Sequence, residues 1–138
     1  MRSATRMKAM TTERKRVLVA DCHEEVLIVL EKMLEDAGFD TTTVWTAREV
    51  LDLVESQMFD IMVVNEYLPD AECEDLLKKL QEKGTQVRCI VMQPSSPDIT
   101  DVGVLRKLGA HEIVCKRAYQ QVVDAVSRCL DKRTKLVA

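Results

Sequence analysis

Ile61-Met62-Val63-Val64-Asn65 is an unbroken apolar run that stops at an amide. A strand with one face in water alternates apolar and polar side chains. Four apolar residues in a row fit a strand covered on both faces, as in a parallel sheet between two helical layers. Three other short runs repeat the pattern: residues 17–20 stop at Asp21, residues 89–92 at Gln93, and residues 113–115 at Lys116. As neighbouring parallel strands, these runs bring Asp21, Asn65, Gln93 and Lys116 to the edge outside the strands' carboxyl ends. Open α/β sheets carry their sites at that edge.

Helical patterns separate the runs. Leu27, Leu30, Met33, Leu34 and Ala37 recur at helical spacing, which predicts a helix over 24–37 that Gly38 ends. A β-branched segment over 41–45 predicts a short strand. Thr46 with Glu49 three residues on reads as a capping box opening a helix whose buried stripe is Val50, Leu53 and Val54. A third helix is predicted over 71–83, stopped by Gly84. A fourth is predicted over 98–108, stopped by Gly109, and a fifth over 119–130 with Val122, Val123, Val126 and Leu130 inward. Five strand–helix units joined by right-handed crossovers give an α/β, flavodoxin-like, doubly wound (βα)5 fold. Its parallel five-stranded sheet has order 2-1-3-4-5.

The 138 residues suffice for one domain with its own core. Charge is unevenly spread. Residues 1–16 hold six basic and one acidic residue, residues 128–138 four and one, and residues 17–127 ten and twenty-one. The basic ends read as a flexible arm over 1–14 and a tail or linker start over 131–138, around a domain over 15–130. No apolar run nears the ~20 residues that cross a bilayer, and residues 1–16 lack the apolar stretch of a signal peptide. The expected location is the cytoplasm. Cys22, Cys73, Cys89, Cys115 and Cys129 are scattered without metal-type spacing, so most are expected to be small buried residues. Met33, Met58, Met62 and Met92 fall in apolar patterns and are expected in the core.

The segments RVLVADCHE, FDIMVVNEYLPD, RCIVMQPS and LGAHEIVCKRAY, in this order and at these strand ends, resemble the receiver domain of two-component response regulators. The resemblance covers about residues 15–130. It implies an acidic pair after the first strand, and here Asp21 is followed by Cys22. It implies a phosphoacceptor aspartate ending the third strand, where Asn65 stands. It implies a Ser or Thr ending the fourth, where Gln93 stands, and a lysine ending the fifth, which is Lys116. The family's switch aromatic, three residues before that lysine, is Ile113 here. Asp21 and Lys116 match; Cys22, Asn65, Gln93 and Ile113 depart. The chain therefore resembles an atypical member, a pseudo-receiver without the acceptor aspartate.

Phosphoryl transfer needs an anionic oxygen nucleophile, and an amide is not one. Mg²⁺ needs several hard oxygen ligands, whereas Cys22 is soft and Asn65 neutral. No Mg²⁺ site, no cofactor and no enzymatic activity are expected. Asp21 and Lys116 are expected to form an ion pair, with Asn65 and Gln93 hydrogen-bonding around it. Glu66 could replace the lost carboxylate, but strand alternation points it to the opposite face. His23 with Cys22 and Cys73 offers a soft-metal set, and His111 reads as a solvated turn residue.

These features predict a signalling module working by protein–protein contact without aspartyl phosphorylation. By the resemblance, its interface lies on the fourth helix, fifth strand and fifth helix, with charge from Arg106, Lys107, Glu112, Asp124 and Arg128. The partner is another protein or a second copy; nucleic acid would be reached only through a separate output domain. Two alternatives stay open: a phosphorelay regulator with a non-standard acceptor, and a cofactor-binding flavodoxin-like protein. The second needs a phosphate-cradling loop after the first strand, where Asp21, Glu24 and Glu25 would repel phosphate.

Overall fold

The computed structural model describes residues 14–94 and 99–131. The expected arm and tail lie outside these, apart from Arg14 and Asp131. The elements run β1 (Arg16–Ala20), α1 (Glu24–Asp36), β2 (Asp40–Val44), α2 (Ala47–Ser56), β3 (Ile61–Asn65), β4 (Tyr67–Leu68), β5 (Ala71–Glu72), α3 (Cys73–Glu82), β6 (Arg88–Gln93), α4 (Ile99–Lys107), β7 (Ala110–Cys115) and α5 (Tyr119–Leu130). Strands β2-β1-β3-β6-β7 form one parallel sheet. With the two-residue strands set aside, this is the predicted 2-1-3-4-5 order.

Every residue of β3 is buried, because helices cover both faces. Val17, Val19, Ile61, Val63, Ile90 and Met92 pack with α1 and α5. Leu18, Ala20, Met62, Val64, Cys89 and Val91 pack on the other face with apolar residues of α2, α3 and α4. This alternation decides where each strand-end side chain goes. The turn after α1 requires φ of +100° at Gly38, a conformation that costs residues with a Cβ.

Four local expectations are corrected. The chain after β3 forms the antiparallel β4–β5 pair, so α3 starts at Cys73 instead of residue 71. Met58 is 85% exposed; the Arg16 guanidinium holds its carbonyl at 2.8 Å while the side chain stays outside. Only Cys73 and Cys89 are fully buried; Cys22, Cys115 and Cys129 are half-buried. His111 lies in β7, not a turn, and its Nδ1 accepts from the Cys89 amide at 3.3 Å, where the β6–β7 register shifts.

Candidate functional site

The loop after β1 places Asp21, Cys22 and His23 at the carboxyl edge of the sheet. Asp21 is fully buried, and its amide donates to the Val44 carbonyl at 3.2 Å, which extends the β1–β2 ladder by one step. Its Oδ1 accepts from the His23 amide at 2.8 Å and from the Lys116 ammonium at 3.1 Å. Lys116 is held there because its own amide donates to the Gln93 carbonyl at 2.7 Å. The ion pair expected between Asp21 and Lys116 is therefore present. Asp21 Oδ2 is buried and has no hydrogen-bond partner among the described residues.

The surroundings of this pair differ from expectation. Lys116 Nζ lies 2.7 Å from His23 Nδ1. An ammonium can only donate, so in this contact Nδ1 is the acceptor. The 3.1 Å approach of Nδ1 to Asp21 Oδ1 is then a close contact, not a hydrogen bond. Cys22 Sγ lies 3.6 Å from the same Nδ1.

Asn65 and Gln93 do not hydrogen-bond to the ion pair. Asn65 Nδ2 donates to the Tyr67 carbonyl at 2.9 Å. Gln93 follows Cys89 and Val91 onto the opposite face, where its Nε2 donates to Glu66 Oε2 at 2.8 Å. Both residues of that second pair are buried. The loop carrying Glu66 is pinned by its amide to the Met92 carbonyl and by the Cys73 amide to its own carbonyl, each at 2.8 Å. Further along, Asp70 accepts from the Ala47 and Arg48 amides at 2.8 and 3.0 Å. Partial burial would push the Asp70 carboxyl up, but those amides outweigh it and hold the carboxyl below the usual carboxylate range.

Sequence reasoning missed the contact of His23 with Lys116 and the Glu66–Gln93 pair. The i, i+2 spacing of Asp21 and His23, which suits an Asx turn, was the available signal for the first. Cys73 is buried in the core among α2, α3 and the sheet, so it does not join Cys22 and His23. Two thiols away from this edge, Cys89 and Cys129, have raised pKa values. A hydrogen bond with Cys73 and burial raise Cys89, while burial and the carboxylate of Glu112 push Cys129 to about 11. An open cleft of about 830 Å³ lies over the edge, bordered by Cys22, His23, Asn65, Tyr67, Lys116 and Tyr119 among others.

Ile113 is half-buried opposite Val91 and packs against the core on the α2–α4 side. On the neighbouring face, Arg106, Lys107, Asp124 and Arg128 are exposed. Glu112 and Arg128 are bound to each other at 2.6 Å, and that bond raises the guanidinium pKa. Asp124 accepts from Gln120 at 2.9 Å. No described helix is long and apolar enough to cross a membrane.

A family model, the response regulator receiver domain, matches residues 17–127. The sensory/regulatory protein RpfC of Xanthomonas campestris is 34% identical over 105 residues, covering 76% of this chain and 12% of that protein. The alkaline phosphatase synthesis transcriptional regulatory protein PhoP of Bacillus subtilis is 24% identical over 90% of this chain and 51% of that one. The chain thus spans about half or less of these relatives. A CheY-like receiver domain protein from Methanospirillum hungatei superposes with a TM-score of 0.80 at 22% identity, covering 90% of this chain and 99% of that one. The matched span reaches all five strands of the main sheet, all but Arg16 of β1, and the polar strand ends that crown them, and the chain belongs to the response regulator receiver domain family.

Proposed function

We propose that this receiver domain signals through protein–protein contacts without aspartyl phosphorylation, and that it is a pseudo-receiver. One observation carries the reading: the Asn65 amide donates at 2.9 Å to the Tyr67 carbonyl. By family resemblance, Asn65 stands where the phosphoacceptor aspartate would be, and the Tyr67 carbonyl where a Mg²⁺ ligand would be. An N–H group aimed at that oxygen puts a donor where a metal ion would sit and takes up one of its two lone pairs, and the amide offers no anionic nucleophile. Cys22 removes a second hard ligand. Lys116, which in the family meets a phosphoryl group, is occupied by Asp21 and His23.

Glu66 is a poor substitute acceptor. It is buried on the other face, bonded to Gln93. The module carries out no catalysis and operates in the cytoplasm, with α4, β7 and α5 as its contact face for a second copy or another protein. Because Glu112 and Arg128 satisfy each other, recognition on that face rests chiefly on Arg106 and Lys107, which have no ion-pair partner among the described residues, and on half-exposed Val104.

Mg²⁺ titration tests the loss of the family's chemistry. Trp45 follows β2 at the same edge and is 47% exposed, so its fluorescence reports on the site. Neither that fluorescence nor thermal stability should change with millimolar Mg²⁺; a saturable change in both would overturn the reading. For the interface, Arg106→Glu with Lys107→Glu should weaken self-association in sedimentation, or capture of the native partner. Unchanged association in both assays would remove α4 from the contact face.

A further inference from the structure

We propose that Asp21, Cys22 and His23 form a binding site for a divalent late transition metal, zinc above all, which displaces the Lys116 ammonium. The three donor atoms are Asp21 Oδ1, Cys22 Sγ and His23 Nδ1, and all lie within 4.8 Å of one another. Zinc–nitrogen and zinc–oxygen bonds of about 2.0 Å and a zinc–sulfur bond of about 2.3 Å set the edges of a tetrahedron at about 3.3 Å for N···O and about 3.5 Å for S···N. The observed edges are 3.1 and 3.6 Å. The third edge, Asp21 Oδ1 to Cys22 Sγ, lies within 4.8 Å.

The donor set selects the metal. One thiolate, one imidazole and one carboxylate suit zinc and its neighbours in the first row and reject Mg²⁺. His23 Nδ1 already faces a cation, Lys116 Nζ, at 2.7 Å. The position of that ammonium, 2.7 Å from Nδ1 and 3.1 Å from Oδ1, marks where the site holds positive charge. Its charge balances the carboxylate, but Asp21 Oδ2 stays buried and without a hydrogen-bond partner among the described residues. When zinc binds, the Cys22 thiol gives its proton to solvent and the sulfur–zinc bond forms. The dication then balances one carboxylate and one thiolate, and Lys116 keeps its proton and swings into the cleft. His23 is 57% exposed in its side chain and Cys22 half-buried, so the metal has a path in and a fourth position open to water. Asp21 and Cys22 stand at the family's acidic-pair positions, so the proposal rests on the reading that Mg²⁺ no longer binds there, and the Co²⁺ band below reads zinc-type binding separately from the Mg²⁺ titration above.

Titration of the reduced full chain with Co²⁺, followed by Zn²⁺ competition, tests it. The expected result is an absorption band for thiolate-to-cobalt charge transfer that saturates at one equivalent and is removed by Zn²⁺. Cys22→Ser should abolish the band, and His23→Ala should weaken binding about tenfold or more, at least the cost of losing an outer-shell partner. Cys129→Ser should leave it unchanged. Absence of the band in the unmodified chain, or its survival in Cys22→Ser, would overturn the proposal.

Discussion

The two sides of the Asn65 strand end treat polar groups in opposite ways. On the α2–α4 side, Gln93 and Glu66 are buried and joined at 2.8 Å beneath a loop pinned by two backbone bonds. On the α1–α5 side, Asp21 is equally buried, but its partners Lys116 and His23 reach out to an open cleft. Adjacent residues of one strand alternate between faces, so a single step from Asn65 to Glu66 separates a sealed structural pair from an exchangeable cluster. The difference teaches that a polar strand end is not one site, and that of these two clusters only the Asp21 side borders the open cleft.

Substitutions can break or sharpen this contrast. Lys116→Ala has the largest expected effect. It strands the buried Asp21 carboxylate and should cost about 3 kcal/mol in chemical denaturation. Asp21→Asn should cost much less, because Lys116, at 13% exposure, can turn to water. Equal losses for the two would deny that the pair is half-open. Gln93→Leu removes a donor from the buried Glu66 carboxylate and should cost about 2 kcal/mol; a neutral outcome would mean that the sealed pair carries no structural role.

Asp70→Ala tests the loop that seals this pair, and should cost about 1 kcal/mol by uncapping α2. Its pH dependence has a definite sign. The folded carboxyl titrates below the usual value of 3.8, so its contribution is complete above that value and fades as pH falls through the lower folded value. The unmodified chain should therefore lose its advantage over Asp70→Ala only in that acid range. Cys22→Ser should change stability least, by less than about 0.5 kcal/mol, because a half-exposed thiol contributes little packing.

Much of this was legible in sequence. The apolar runs fixed the strands and their polar terminators, since burial on both faces leaves no other pattern. The Thr46–Glu49 capping box is formed as read, with Thr46 Oγ1 accepting from the Glu49 amide at 3.2 Å. The β4–β5 pair was not legible, because two residues carry no periodicity. Alternation places Glu66 and Gln93 on the same face, but their pairing was not legible, because it needs β3 and β6 to lie side by side with their polar ends level. His23 escaped notice as a partner of Lys116 because the two are 93 positions apart, and only the closed sheet brings them together.

The central claim is that the carboxyl edge no longer performs phosphoryl chemistry. The most direct measurement is the intact mass of the purified chain after incubation with acetyl phosphate and Mg²⁺. The account predicts an unchanged mass. A gain of one phosphoryl group mapping to residues 60–70 would contradict it.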